Sequence, residues 1–289
     1  MTDQPLHRQQ IESFINRMPS LPTTVAKVIE VCNQPQTSPN DLNRLISLDP
    51  VLTGKVLKLI NSAFFTLSQP VASVTRAIVM LGINTVKNLA LSTSIVGIFN
   101  GNSREGCFSM NDFWLHSLAT GVTARMLAAR QGIPGDAREE YFVGGLLHDI
   151  GKIPIMHCFP EEYAHILKES EQRHEPLYST EKEILGFDHC HVGQIIAEKW
   201  RLSDNLSSAL TSHHQKEQHE PAGFNDVISS ANICAGSFSL GSAGDVSFEN
   251  PRPLVVKYTG ADSCDLSPFQ SEIVAEVEKA KVFLAVSGS

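Results

Sequence analysis

The stretch GGLLHDIGKIPI, from Gly144 to Ile155, sets two good metal ligands side by side. His148 offers an imidazole and Asp149 a carboxylate, between an apolar run and Gly151. His116 lies upstream, and His189, His213 and His214 follow downstream. Imidazole and carboxylate together suit iron, manganese or zinc; there is no thiolate set to favour a cysteine-rich zinc site. A cluster of this size could hold two ions sharing a hydroxide, which activates the hydroxide and clamps a phosphoryl group. Lys152 could hold a substrate phosphate, or stand exposed at a helix end. The residues alone leave a plainer reading open. A histidine in a last turn suits the helix dipole, and an aspartate at a helix terminus can simply cap.

The elements that carry these groups read as helices nearly throughout. Val25, Val28, Ile29 and Cys32 recur at the spacing of one helix face. Ser38, Pro39 and Asp41 form a close variant of a capping box, and Asp49 with Pro50 starts the next helix, which runs to about Asn61. Val74, Ala77, Ile78 and Leu81 mark another helix, broken at LGIN, after which TVKNLALSTSIVGIF resumes the period. NGNSREG at 100–106 reads as a loop and a subdomain boundary. Beyond it, NDFWLHSLATGVTARMLAAR is capped by Asn111 or Asp112 and carries His116 in mid-helix. GDAREEYFVGGLLHDIG, capped by Asp136, ends on His148 and Asp149. A helix capped by Asp188 begins with His189, and a further helix ends on His213 and His214. Glycines and prolines from Gly241 to Ser263 predict irregular chain, and a last amphipathic helix covers about Ser267 to Leu284. The class is all-α, in three parts: residues 1–105, 106–245 and 246–289.

Bulk properties narrow the function. At 289 residues, 42% hydrophobic and 19% charged, the chain can bury a sizeable core. A net charge of −8 argues against a DNA binder, which needs a basic stripe for the phosphates. It leaves room for a nucleotide held at a metal. The first residues have no basic stretch followed by an apolar one, and LALSTSIVGIF is too short and hydroxyl-rich to span a bilayer. The six cysteines are scattered without a CxxC pair and read as reduced thiols; Cys158 and Cys190, near the histidines in sequence, read as buried ones. The expectation is a cytoplasmic protein with no membrane contact.

HDIGK preceded by GGLL, with a helical histidine upstream, resembles the HD superfamily of metal-dependent phosphohydrolases. ISLDPVLTGKVLKLINSAFF, then VASVTRAIVMLGINTVKNLAL, and later FDHCHVGQIIAEKWRLSDNLSSALTSHH, resemble the HDOD domain, an HD-related output domain of bacterial signalling proteins. The resemblance covers about Met18 to Phe238. It implies an HD-like helical bundle preceded by an N-terminal helical subdomain, with His116, His148, Asp149, His189, His213 and His214 as metal ligands. His148, Asp149 and Lys152 become the candidates for any catalysis. It also implies a signalling protein as partner, with a nucleotide as a second ligand class. Many HDOD domains have lost these ligands and act as regulatory or interaction modules; this chain keeps most of them. Two positions depart from the catalytic pattern. Asn232 stands where the HD pattern has its final aspartate, and Gln215 follows the paired histidines, with no Gly-Tyr-Pro motif after it. The resemblance therefore points to a regulatory domain first and to a metal-dependent phosphohydrolase second, and away from cyclic di-GMP hydrolysis.

Overall fold

A computed structural model of the chain describes residues 4–32, 34, 36–65, 67, 69–100, 109–215, 223–246, 248, 250, 252–259 and 266–287. Among these residues there are helices and no strand. The first six helices are α1 (Gln4–Arg17), α2 (Thr23–Cys32), α3 (Pro39–Ile46), α4 (Pro50–Ile60), α5 (Val74–Leu81) and α6 (Ile83–Asn100). Next come α7 (Met110–Arg130), α8 (Gly135–Leu147), α9 (Lys152–Cys158), α10 (Pro160–Arg173) and α11 (Leu177–Leu185). The rest are α12 (His189–Trp200), α13 (Asp204–Ser212), α14 (Phe224–Ser237), α15 (Arg252–Thr259), α16 (Ser267–Ala280) and α17 (Val282–Ser287).

Local sequence explains most starts and stops. Ser38 and Asp41 make the reciprocal capping box of α3, and Asp49 accepts from Leu52 N at 2.9 Å to open α4 behind Pro50. Asn61 ends α4, and its amide spans to the next segment through both polar atoms of Val71, at 2.7 and 2.8 Å. Gly82 breaks α5 from α6. Three expectations are corrected. The cap of α7 is Ser109, whose hydroxyl accepts from Asp112 N at 3.3 Å, and neither Asn111 nor Asp112 caps it. Helix α8 begins at Gly135 behind Pro134, whose fixed φ starts the helix without a side-chain cap, so Asp136 lies inside the first turn. Arg252–Thr259 is helical within the segment read as irregular, because a proline in a first turn costs no hydrogen bond. The 101–108 part of the expected loop lies outside the described residues.

Helix α6 is buried on nearly all sides, by Val86, Leu89, Ala90, Ile95 and Val96, and packs against α2, α4, α5, α8 and α17. It is apolar because it is central. Among the described residues, no single helix is long and apolar enough to cross a membrane. The second axis is the α7–α8 pair, against which α13 and α14 pack. These two helices cross at glycines: a Cβ on Gly145 would stand 2.7 Å from the Gly121 Cα. That close approach sets His116 of α7 beside His148, with ring centroids 5.6 Å apart. The two chain ends cross over. Helix α1 packs on α9, α11 and α12, while α17 packs on α4 and α6.

Candidate metal centre

Asp149 sits in the turn between α8 and α9, fully buried, with imidazoles around both of its oxygens. Its Oδ2 faces His148 Nε2 at 3.3 Å and His116 Nε2 at 3.9 Å. Its Oδ1 faces His189 Nε2 at 3.3 Å and His213 Nε2 at 3.5 Å. His214 closes the second group, its Nε2 3.0 Å from His189 Nε2, with its ring stacked on Tyr178 at 4.5 Å. All six expected residues are thus brought together, five of them no more than 2% exposed and His214 half-buried.

The orientation of the rings carries the chemical argument. His148 Nδ1 meets Gly145 O at 2.7 Å, and His213 Nδ1 meets Ala209 O at 2.8 Å. His189 Nδ1 meets Glu181 Oε2 at 2.6 Å. Outer acceptors of this kind take the Nδ1 protons and turn each Nε2 inward, the usual outer support of a metal-binding histidine. The inner atoms are left short of partners: His148 Nε2 and Asp149 Oδ1 are buried with no hydrogen bond. Such groups are costly unless something compensates them. Two nitrogens each about 2.0–2.1 Å from one tetrahedral ion stand about 3.3 Å apart. The His189–His213 Nε2 separation is 3.3 Å. The donor set therefore fits a divalent metal.

Charges agree with this arrangement. Burial alone would raise the Asp149 carboxyl, but His148 and Lys152 outweigh it and hold the group well below the usual carboxylate range. Burial likewise favours a neutral His189, yet Glu181 prevails and raises the imidazole to about 10. His189 Nε2 thus carries a proton that ligation would release. His116 is the opposite case, lowered to about 4, chiefly by burial. It is neutral, and its Nε2 stands 3.0 Å from Asn232 Oδ1. The amide sits where the HD pattern has a carboxylate and pairs with Nε2 without adding charge, while Nδ1 is buried with no hydrogen bond.

Lys152 departs most from expectation. It is neither exposed nor facing an empty subsite: it is fully buried, with Nζ 2.8 Å from Asp149 Oδ2 and in contact with Asp245. Burial would lower its pKa, but Asp149 and Asp245 outweigh it and keep the ammonium charged. Cys190 is a buried thiol whose pKa burial raises; its Sγ lies 3.9 Å from His213 Nδ1, the nitrogen turned away from Asp149. Cys158 is only partly buried.

Glu181, Tyr163 and Asp245 complete the centre and were not expected from sequence. Glu181 accepts from the His189 backbone N–H at 2.8 Å as well as from its ring, and Tyr163 donates to its other oxygen at 2.9 Å. It therefore fixes both the first turn of α12 and the orientation of the ligand that opens it. Glu181→Gln is expected to weaken metal affinity roughly 10- to 100-fold with little change in helix content. A chelator competition titration measures this, and an unchanged affinity would show that Glu181 does not support the ligand.

Comparisons with known proteins bear on the family and the fold. The HDOD domain family model matches residues 18–216. A solved HDOD domain protein of unknown function from Geobacter sulfurreducens superposes with a TM-score of 0.70 at 22% identity, over 98% of this chain and 97% of that one. A Shewanella amazonensis protein provisionally named a phosphohydrolase gives the same TM-score and identity over 97% and 98%. A Marinobacter aquaeolei protein provisionally named a signal transduction protein gives 0.72 at 20% identity, over 99% of this chain and 67% of that one. At these identities the likeness establishes the fold. In sequence, an uncharacterised Treponema pallidum protein is 24% identical over 219 residues, 76% of this chain. The chain spans only 42% of the length of that relative. On its match from Met18 to Lys216, and with the all-helical fold of its neighbours, the chain belongs to the HDOD domain family.

Proposed function

We propose that this protein is a cytoplasmic regulatory HDOD domain of bacterial signal transduction, which holds a divalent metal at the HD centre and acts by binding a protein partner or a nucleotide. The observation that carries it is the set of inward Nε2 atoms of His148, His189 and His213 around Asp149, each locked by an outer acceptor. His148, Asp149, His189, His213 and His214 would hold iron, manganese or zinc. His116, with His148 and Asp149, would serve a second position. Such a metal would supply Lewis acidity and, as its hydroxide, a nucleophile toward phosphoesters.

Three features favour binding over turnover. The centre is buried except at half-buried His214, Asn232 brings no charge to the His116 side, and Lys152 is engaged within the protein. The partner reading is supported by the first subdomain, which exposes Leu48, Val51, Val79 and Met80 around α3, α4 and α5. Exposed apolar side chains are material for a contact surface when they lie together. A phosphohydrolase is the second reading, and the feature that favours it is a lysine ammonium directly beside Asp149.

Elemental analysis of protein purified without added metal tests the proposal, with one to two equivalents of iron, manganese or zinc expected. Protein that stays metal-free after reconstitution would refute it. Asn232→Asp adds a carboxylate beside His116, and should tighten metal binding on the order of tenfold, as an added ionic ligand does at a buried site.

A further inference from the structure

The chain leaving α14 doubles back over the metal centre. Ser239 and Gly241 take left-handed φ of 56° and 76°, turning the segment toward α7. Gly241 then lies so close that a Cβ there would meet Asp112 O and His116 N at 2.4 Å. Ser242 N donates to Asp112 O at 3.1 Å, and Ala243 is buried. Asp245 pairs with Lys152, and is the outer member of that pair, its side chain 7% exposed against 0%. Phe248 follows, against Gly236 and 6.3 Å from the His116 ring. Residues 239–246 thus form a strap over the centre, pinned to it by a single ion pair.

Lys152 is the only place in this arrangement where the strap touches the charged groups of the centre by a salt bridge among the described residues. A buried ammonium binds carboxylates and phosphates by the same charge-assisted hydrogen bonds. Two anions cannot share that side of it without strong repulsion in a water-poor site. We propose that the strap is a self-bound plug: Asp245 occupies the position on Lys152 that a phosphate or phosphoester oxyanion takes, so the closed strap and a bound oxyanion exclude each other. The strap then decides whether an oxyanion can reach Lys152. This rests on reading the centre as a metal and oxyanion site.

The tethered carboxylate competes at an effective concentration in the millimolar range. Removing it should raise affinity for a free oxyanion roughly 10- to 100-fold. The probe is inorganic phosphate, titrated calorimetrically into the full chain and into Asp245→Ala, each with folding checked by circular dichroism. Tighter binding to the variant is expected. Equal or weaker binding, or none to either protein, overturns the plug. Because the variant could disturb the fold around Lys152, hydrogen exchange of amides 240–246 is followed in the unaltered protein too. Saturating phosphate should accelerate exchange there, and unchanged protection overturns the proposal. Both measurements are made with and without reconstituted metal. Loss of strap protection in metal-free protein keeps the plug while the metal reading falls, and stoichiometric metal with an inert strap does the reverse.

Discussion

Asp149→Ala is expected to empty the metal centre and to destabilise the fold in the same step. The carboxylate is shared by both groups of histidines, with Oδ1 and Oδ2 each 3.3 Å from an inward Nε2. Metal content should fall from near stoichiometric to background, because neither group keeps an anionic ligand. The second effect is electrostatic. Lys152 is fully buried and would lose one of its two carboxylate partners, keeping Asp245 alone. A buried charge left bare costs about 3 kcal/mol or more; with Asp245 still on Lys152 the expected loss is smaller, about 1–3 kcal/mol. A denaturant titration reads that loss. Pairing Asp149→Ala with Lys152→Met and Asp245→Ala separates the two effects, because with no charge left unpaired stability should largely return while metal does not. Metal retained in Asp149→Ala would remove Asp149 from the centre.

Gly151→Ala is expected to be nearly as severe, for a reason that the motif alone does not reveal. The glycine of HDIGK has φ of −63°, an ordinary helical value, so it is not there to allow a special backbone conformation. It is there for clearance. An added Cβ would lie 2.1 Å from His189 O and 2.9 Å from Gly193 N, both backbone atoms of α12. Backbone cannot rotate away as a side-chain tip can, so α9 and α12 must separate by about 1 Å or more. Overpacking of this kind costs about 1–3 kcal/mol, and a backbone clash belongs at the upper end. The same displacement carries His189 off Asp149, and ligand distances tolerate only about 0.2 Å. Metal affinity should therefore drop even in protein that remains folded. A variant with unaltered stability and metal content would refute the clearance argument.

How far the chain could be read follows from the range of each interaction. Caps at Ser38, Asp49 and Asp188 were legible because donor and acceptor lie three residues apart. The α7 start was misplaced by two or three residues, because SMND offers three capping side chains and propensity does not choose among them. The six candidate ligands were legible as types, but their convergence was implied by the resemblance to HD proteins and not by spacing. Lys152 was misjudged, since its outer partner Asp245 lies 93 residues further on. Glu181 was hidden by its neighbours: among Lys182 and Glu183 it reads as one more solvated charge, yet it is fully buried and bonded to Tyr163 and His189. An acidic residue a few positions before a ligand histidine is the one signal that could have singled it out.

The crossing of the two chain ends has a kinetic consequence. Lys199 Nζ takes up the carbonyls of Ile15 and Asn16 at 2.9 Å, and Lys55 Nζ reaches Ser287 O at 3.3 Å. These contacts join residues 183 to 232 positions apart. Helical proteins fold fast when their contacts are local, whereas contacts this distant require large loops to close first. Individual helices can form in about a microsecond, but α1 reaches its seat only after α12 exists, and α4 gains its α17 contact only once α17 has been made. During synthesis α4 and α6 must wait for α17, with the apolar face that it covers standing open until then.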